Sequence, residues 1–335
     1  MLAILLLACD AEQPATAPEV TPASPTPTAE PVVVYSGRSE SLVGELLLKA
    51  EQATGVAVEV RYGSTPELVT LMLAEGEQSP ADIIFAQDSG HLGALANQDR
   101  LATLDGELLA LADSRFQDAE GRWVGTSGRA RVLVYNTDAL SVEAMPASLK
   151  DLADPQWKGK LGWAPGNGSF QAHVSALRSL WGEEETKAWL QAVAANEPVK
   201  YPKNSPQVEA AAKGVIQIGW VNHYYLHRSK TDDYPADNYS FPTEGDAGNV
   251  LMLAGMAVRE GSARSEDAQK IIAWMLTEEA QRHFANHNYE YPTRPGVATH
   301  PGVPSVDSLN LAEVDQSWLA DLGPTRVMLQ ELGLL

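Results

Sequence analysis

Val32-Val33-Val34-Tyr35-Ser36-Gly37-Arg38-Ser39 is a β-branched run that breaks into a polar turn, the pattern of a buried strand handing its carboxyl end to a loop. Beyond it, Leu42, Val43, Leu46, Leu47 and Ala50 share a helical face that Gly55 stops. Residues 56–60 alternate as a strand, 66–75 read as a helix, and Ala81-Asp82-Ile83-Ile84-Phe85 as a third strand. Strand, helix, strand, helix, strand implies parallel pairing with right-handed crossovers. Ligands of such sheets bind at the carboxyl ends of the strands, so the turns at 35–39 and 86–89 belong on one rim. A second unit is expected to open at Val132-Leu133-Val134-Tyr135, after a turn Thr126-Ser127-Gly128-Arg129. It continues through Leu161-Gly162-Trp163 and the loop Ala164-Pro165-Gly166-Asn167-Gly168-Ser169. Helices follow at about 170–181, 184–194 and 205–213, then a strand at 215–220. Leu251–Val258 reads as a strand returning to the first unit, with helices at 266–276 and 278–286 after it. The fold class is α/β.

At 335 residues the chain is long enough for two lobes, and its 44% apolar content marks it as globular. A net charge of -20 and a pI near 4.7 exclude a nucleic-acid partner, which needs a basic surface, and suit attraction of cations. The single cysteine, Cys9, follows Leu6-Leu7-Ala8 at the end of an apolar run, as in a lipoprotein signal whose thiol is lipidated. The basic region expected ahead of such a signal is missing, which suggests a late start codon or an incomplete gene model. Residues 10–30 are dominated by Pro, Thr, Ala, Ser and Glu and read as a spacer. No later stretch has the ~20 consecutive apolar residues that span a bilayer.

Chemistry concentrates in Asn222-His223-Tyr224-Tyr225-Leu226-His227-Arg228. Two adjacent tyrosines can present two phenolate oxygens to one hard cation, and since a free phenol titrates near ~10, that partner must be highly charged. Ferric iron is the candidate; the alternative is that both rings are core or rim aromatics. His223 and His227 flank the pair, but side chains one residue apart diverge on helix and strand alike, so both are read as structural. The glycine loop at 166–169 precedes a helix, where exposed N–H groups favour an anion, and is also an ordinary strand-to-helix turn. Arg129 and Arg131 have the forked donors for such an anion or for a structural ion pair. There is no Gly-x-Ser-x-Gly elbow and no His-Glu-x-x-His helix, so a hydrolase is disfavoured.

These residues together resemble the iron(III)-binding proteins of bacterial ABC importers, a family with the type II periplasmic binding protein fold. The landmarks run in order: Tyr35-Ser36-Gly37-Arg38, Pro80-Ala81-Asp82, Gly128-Arg129-Ala130-Arg131-Val132 before Tyr135-Asn136, Gly162-Trp163-Ala164-Pro165 with Asn167-Gly168-Ser169-Phe170, Lys203-Asn204-Ser205, the tyrosine pair, and Glu290-Tyr291-Pro292. The resemblance implies two lobes, each a mixed, mostly parallel sheet flanked by helices: 31–129 with about 251–300, and 130–250 with about 301–335, preceded by a signal segment 1–9 and a linker 10–30. It implies that Tyr224 and Tyr225 hold Fe3+, and that phosphate or carbonate acts as a synergistic anion on Asn167, Gly168 and Ser169. Asn204 and Asn222 match the family's anion-binding positions. The positions where some members carry histidine and glutamate ligands match Ser39 and Gln87, neither a strong ferric ligand. Glu40 and Asp88 lie one residue away. Where other members add a tyrosine near the anion loop, the nearest aromatic here is Phe170. The implied role is a monomeric, lipid-anchored, extracytoplasmic receptor, not an enzyme, delivering iron to an ABC permease and its ATPase. A metal-free receptor for a phosphonate, thiamine or another organic solute is the alternative.

Overall fold

The computed structural model describes residues 30–229 and 233–335; the signal segment with Cys9, and the spacer up to residue 29, lie outside them. The described residues hold the strands β1 Val32–Ser36, β2 Val58–Tyr62, β3 Ile83–Ala86, β4 Val124–Asn136, β5 Leu161–Trp163, β6 Val199–Lys200, β7 Ile218–Asn222, β8 Ala236–Tyr239, β9 Leu251–Val258 and β10 Tyr291–Pro292. The helices are α1 Glu40–Thr54, α2 Thr65–Glu75, α3 Ser89–Ala96, α4 Gly106–Leu109, α5 Gly168–Trp181, α6 Glu183–Ala195, α7 Asn204–Ala212, α8 Tyr224–Ser229, α9 Ser265–Met275, α10 Glu278–His287 and α11 Leu322–Glu331. None of them is long and apolar enough to cross a membrane.

The opening βαβαβ unit forms as its pattern demands. β1 pairs in parallel with β2 on one side and β3 on the other. The apolar face of α1 buries Val43, Leu46, Leu47 and Ala50, and Gly55 ends the helix in the left-handed conformation at φ 69°. Ser64 caps α2 through a reciprocal capping box with Glu67. The remaining order is β3-β9-β4-β7-β5-β6, antiparallel from β3 through β9 and β4 to β7 and parallel again from β7 to β6.

One expectation fails at the centre. Residues 126–129 are not a turn but the middle of β4, a strand buried at all thirteen positions. Its Gly, Ser and Arg residues mimic a turn because close neighbours leave little room for larger side chains. A Cβ on Gly128 would meet Leu251 at 3.1 Å and Tyr291 at 3.2 Å, and the register slips between Gly125 and Ser127. β4 also changes partners along its length: as far as Ala130 it pairs with β9, and from Arg131 onward with β7. One core cluster draws on β1, β3, α1 and α9, whereas another draws on β5, α5, α6, β7 and α11. α11 falls in the C-terminal stretch, where no element is read from the sequence.

Candidate functional site

β7 runs antiparallel to β4 with Asn222 opposite Arg131. After one intervening residue, His223, α8 begins, so the tyrosines occupy its first two positions. Buried Leu226 anchors this short helix, while Tyr224 and Tyr225 face a cleft of about 320 Å³. Their ring centroids are 4.4 Å apart at 31°, and the Arg228 guanidinium lies 4.5 Å from the Tyr224 ring. Burial raises the pKa of the Tyr225 phenol, and its Tyr224 neighbour adds to this; a hydrogen bond with Asn204 and the charge of Arg129 pull the other way without prevailing. Such a phenol gives up its proton at neutral pH only to a strongly charged partner.

The opposite part of the cleft is the start of α5. Asn167 caps it, its Oδ1 accepting from the Ser169 amide at 3.0 Å and from the Ser169 hydroxyl at 2.6 Å. The Ser169 Oγ in turn accepts from Arg131 Nη1 at 3.3 Å and Asn204 Nδ2 at 3.2 Å. Gly168 faces open space, so its backbone is accessible to a ligand. Arg129 lines the cleft and donates to the Gln87 carbonyl oxygen. Arg131 is wholly buried one layer behind, donating to Asn222 Oδ1 and the Trp220 carbonyl, both at 2.9 Å, and lying 5.5 Å from the Trp220 ring. Burial draws its pKa down to about 9, against the favourable influence of Tyr225 and Tyr224.

Neither arginine forms an ion pair with a carboxylate among the described residues, and the Nε of each is buried without a hydrogen-bond partner, as is Asn204 Oδ1. Buried guanidinium groups normally have an anion beside them. The arrangement therefore suits a negatively charged group at the α5 N-terminus next to a cation held by phenol oxygens.

The sequence-derived residues thus divide. Tyr224, Tyr225, Asn167, Gly168, Ser169, Asn222, Arg129 and Gln87 converge on one cleft, with Arg131 and Asn204 supporting it through Ser169. Ser39 does not join them; it is exposed at the N-cap of α1 and bonded to Ser41 at 3.1 Å, and Glu40 is exposed beside it. The side-chain oxygen of Gln87 accepts from Arg38 at 3.1 Å. Phe170 is core, 4.7 Å from the Trp220 ring. His223 is structural as expected: its Nδ1 accepts from the Ala130 amide, its Nε2–H donates to the Tyr289 carbonyl at 2.6 Å, and burial pulls its pKa to about 4. His227 stacks on Tyr289 away from the cleft.

His91 is the residue that sequence reading missed; it lines the cleft from α3, bonded to Asp88. Among the described residues no group of three His, Cys, Asp or Glu side chains is placed to hold a metal. Larger hollows of about 550 and 610 Å³ open beside Arg100 and beside Phe116, but neither gathers phenols, unpaired arginines and a helix N-terminus.

The family model for bacterial extracellular solute-binding proteins matches residues 78–309. The chain belongs to that family. This solute-binding protein is 33% identical over 309 residues to the Fe(3+)-binding periplasmic protein of Serratia marcescens, covering 91% of this chain and 90% of that one. It is 27% identical over 315 residues to the major ferric iron-binding protein of Neisseria meningitidis, covering 92% and 95%. Among solved structures, iron-bound HitA from Pseudomonas aeruginosa matches with a TM-score of 0.81 at 30% identity, covering 90% of this chain and 99% of that one.

Proposed function

We propose that this chain captures ferric iron outside the cytoplasm and delivers it to the permease and ATPase of an ABC importer, without chemistry on the solute. The observation that carries this reading is the pair of phenols on successive residues facing a cleft that also holds Arg129, the α5 N-terminus and, from α3, Asp88 with His91. Burial keeps Tyr225 protonated in the free protein, and a trivalent ion supplies the charge that displaces the proton. Phosphate or carbonate completes the shell on the Gly168 and Ser169 amides, with Arg129 in the cleft wall and Arg131 behind it. The names of the relatives support the same cargo.

Closure brings 31–129 with about 251–300 against 130–250 with about 301–335. The change of β4 partners between Ala130 and Arg131 supports this division. The working form is a monomer, tethered through a lipid on Cys9.

Ferric citrate titration of metal-stripped protein tests the reading. Wild type should develop a visible phenolate-to-iron charge-transfer band, Tyr224→Phe and Tyr225→Phe should weaken binding, and the double variant should abolish it. Unchanged binding in the double variant would remove iron. The cationic half of the cleft also suits a metal-free receptor for a phosphonate, which would bind its solute without colour.

A further inference from the structure

We propose that His91, oriented by Asp88, is the protein ligand that the first rim supplies to the ferric ion. This inference rests on the ferric reading above and names a donor that the tyrosine pair lacks.

Asp88 is the N-cap of α3 and His91 lies in the first turn. The carboxylate Oδ1 accepts twice from the same residue, from the His91 amide at 3.1 Å and from its Nδ1 at 2.6 Å. A carboxylate acceptor puts the ring proton on Nδ1, which leaves the Nε2 lone pair free. No hydrogen bond engages Nε2 among the described residues, and the ring lines the same cleft as Tyr224 and Tyr225. The side chain is only 14% exposed, and with its backbone and Nδ1 both bonded to one carboxylate its orientation is fixed. A carboxylate behind an imidazole is the usual device for presenting a histidine to a metal, and imidazole is an accepted iron donor.

The other candidate donors are committed or misplaced. Ser39 and Glu40 are exposed and off the cleft, the Gln87 side-chain oxygen accepts from Arg38, and both ring nitrogens of His223 are bonded to backbone. His91 sits on the rim opposite the tyrosines in the sheet order, so its approach to the ion depends on closure. Coordination by His91 therefore distinguishes the closed, loaded state from iron resting on the phenols alone.

The experiment is pulsed electron paramagnetic resonance on the full chain loaded with ferric citrate, with natural and with [15N]histidine-labelled protein. Expected is an imidazole nitrogen modulation in wild type that changes isotope with the label and disappears in His91→Ala, while the visible band persists. Ferric affinity should fall about tenfold or more in His91→Ala, and by a comparable factor in Asp88→Asn, which keeps the nitrogen but loosens its support. A coloured wild type without histidine nitrogen coupling, as when Asp88 itself takes the ion, overturns the inference and leaves the ferric reading standing. Nitrogen coupling that survives in His91→Ala also overturns it. A wild type that never colours overturns both.

Discussion

Acidification from pH 6.5 to 4.5 should cost the folded state about 2 kcal/mol through His173 alone. This α5 side chain is wholly buried; its Nδ1 accepts from Trp220 Nε1 at 3.0 Å, and its Nε2–H donates to the Ala247 carbonyl at 2.6 Å. Only a neutral ring satisfies both bonds. Burial first, and the charge of Arg131 second, hold its pKa at about 3 instead of 6.5. As pH falls through 6.5 the unfolded chain takes up a proton that the folded chain refuses until near 3, so the unfolded state gains and stability drops across that window. Each pH unit is worth about 1.36 kcal/mol, less a correction for half-protonation at the upper end. Urea unfolding at pH 6.5, 5.5 and 4.5, followed by tryptophan fluorescence, measures it against His173→Gln. The variant should start lower by about 1–3 kcal/mol for its impaired hydrogen bonds, then lose about 2 kcal/mol less than wild type on acidification. His223 and the carboxylates act equally in both proteins and cancel in the comparison. Parallel stability curves would refute the reasoning.

Three further outcomes follow. Glu290→Ala leaves Arg38, bonded to that carboxylate at 2.8 and 2.9 Å with both side chains buried, without a counter-charge; unfolding free energy should drop by about 3–5 kcal/mol, and a loss below about 1 kcal/mol would contradict the geometry. Gly255→Ala puts a Cβ 2.7 Å from the Val124 carbonyl oxygen where β9 crosses β4, so denaturant midpoints should shift to a loss of about 1–3 kcal/mol. Iron uptake should release one proton fewer in Tyr224→Phe and in Tyr225→Phe than in wild type, read by pH-stat titration; equal release in all three would show that the phenols do not ionise.

The sequence was most legible where local pattern and burial coincide. The Val32-Val33-Val34 run, the α1 face with its Gly55 stop, and β9 came through almost to the residue. β4 did not, because its Gly-Ser-Arg composition answers to strands and loops far away in sequence, Leu251 and Tyr291 among them. The tyrosine pair was legible because its chemistry lies in adjacent residues. The arginines were half legible: their forked donors marked Arg129 and Arg131 as partners for an anion or an ion pair, but only tertiary packing sends the first to the cleft wall and the second behind it. Ser39 lies outside the cleft because the β1 turn brings Gly37, not its neighbour two residues on, to the lining. His91 carried a local sign, an N-cap aspartate three residues ahead, yet nothing local says which wall of a cleft that helix joins.

Tyr224 and Tyr225 share one peptide bond at the start of α8, so movement of one lobe against the other carries both together. On the ferric reading they travel as one chelate, on the same element whether the cleft is open or shut. Opening of the cleft then does not by itself pull this claw apart. Unloading at the importer has to strip away the companion donors and the anion, or change the charge of the ion, leaving two phenols too weak to retain it.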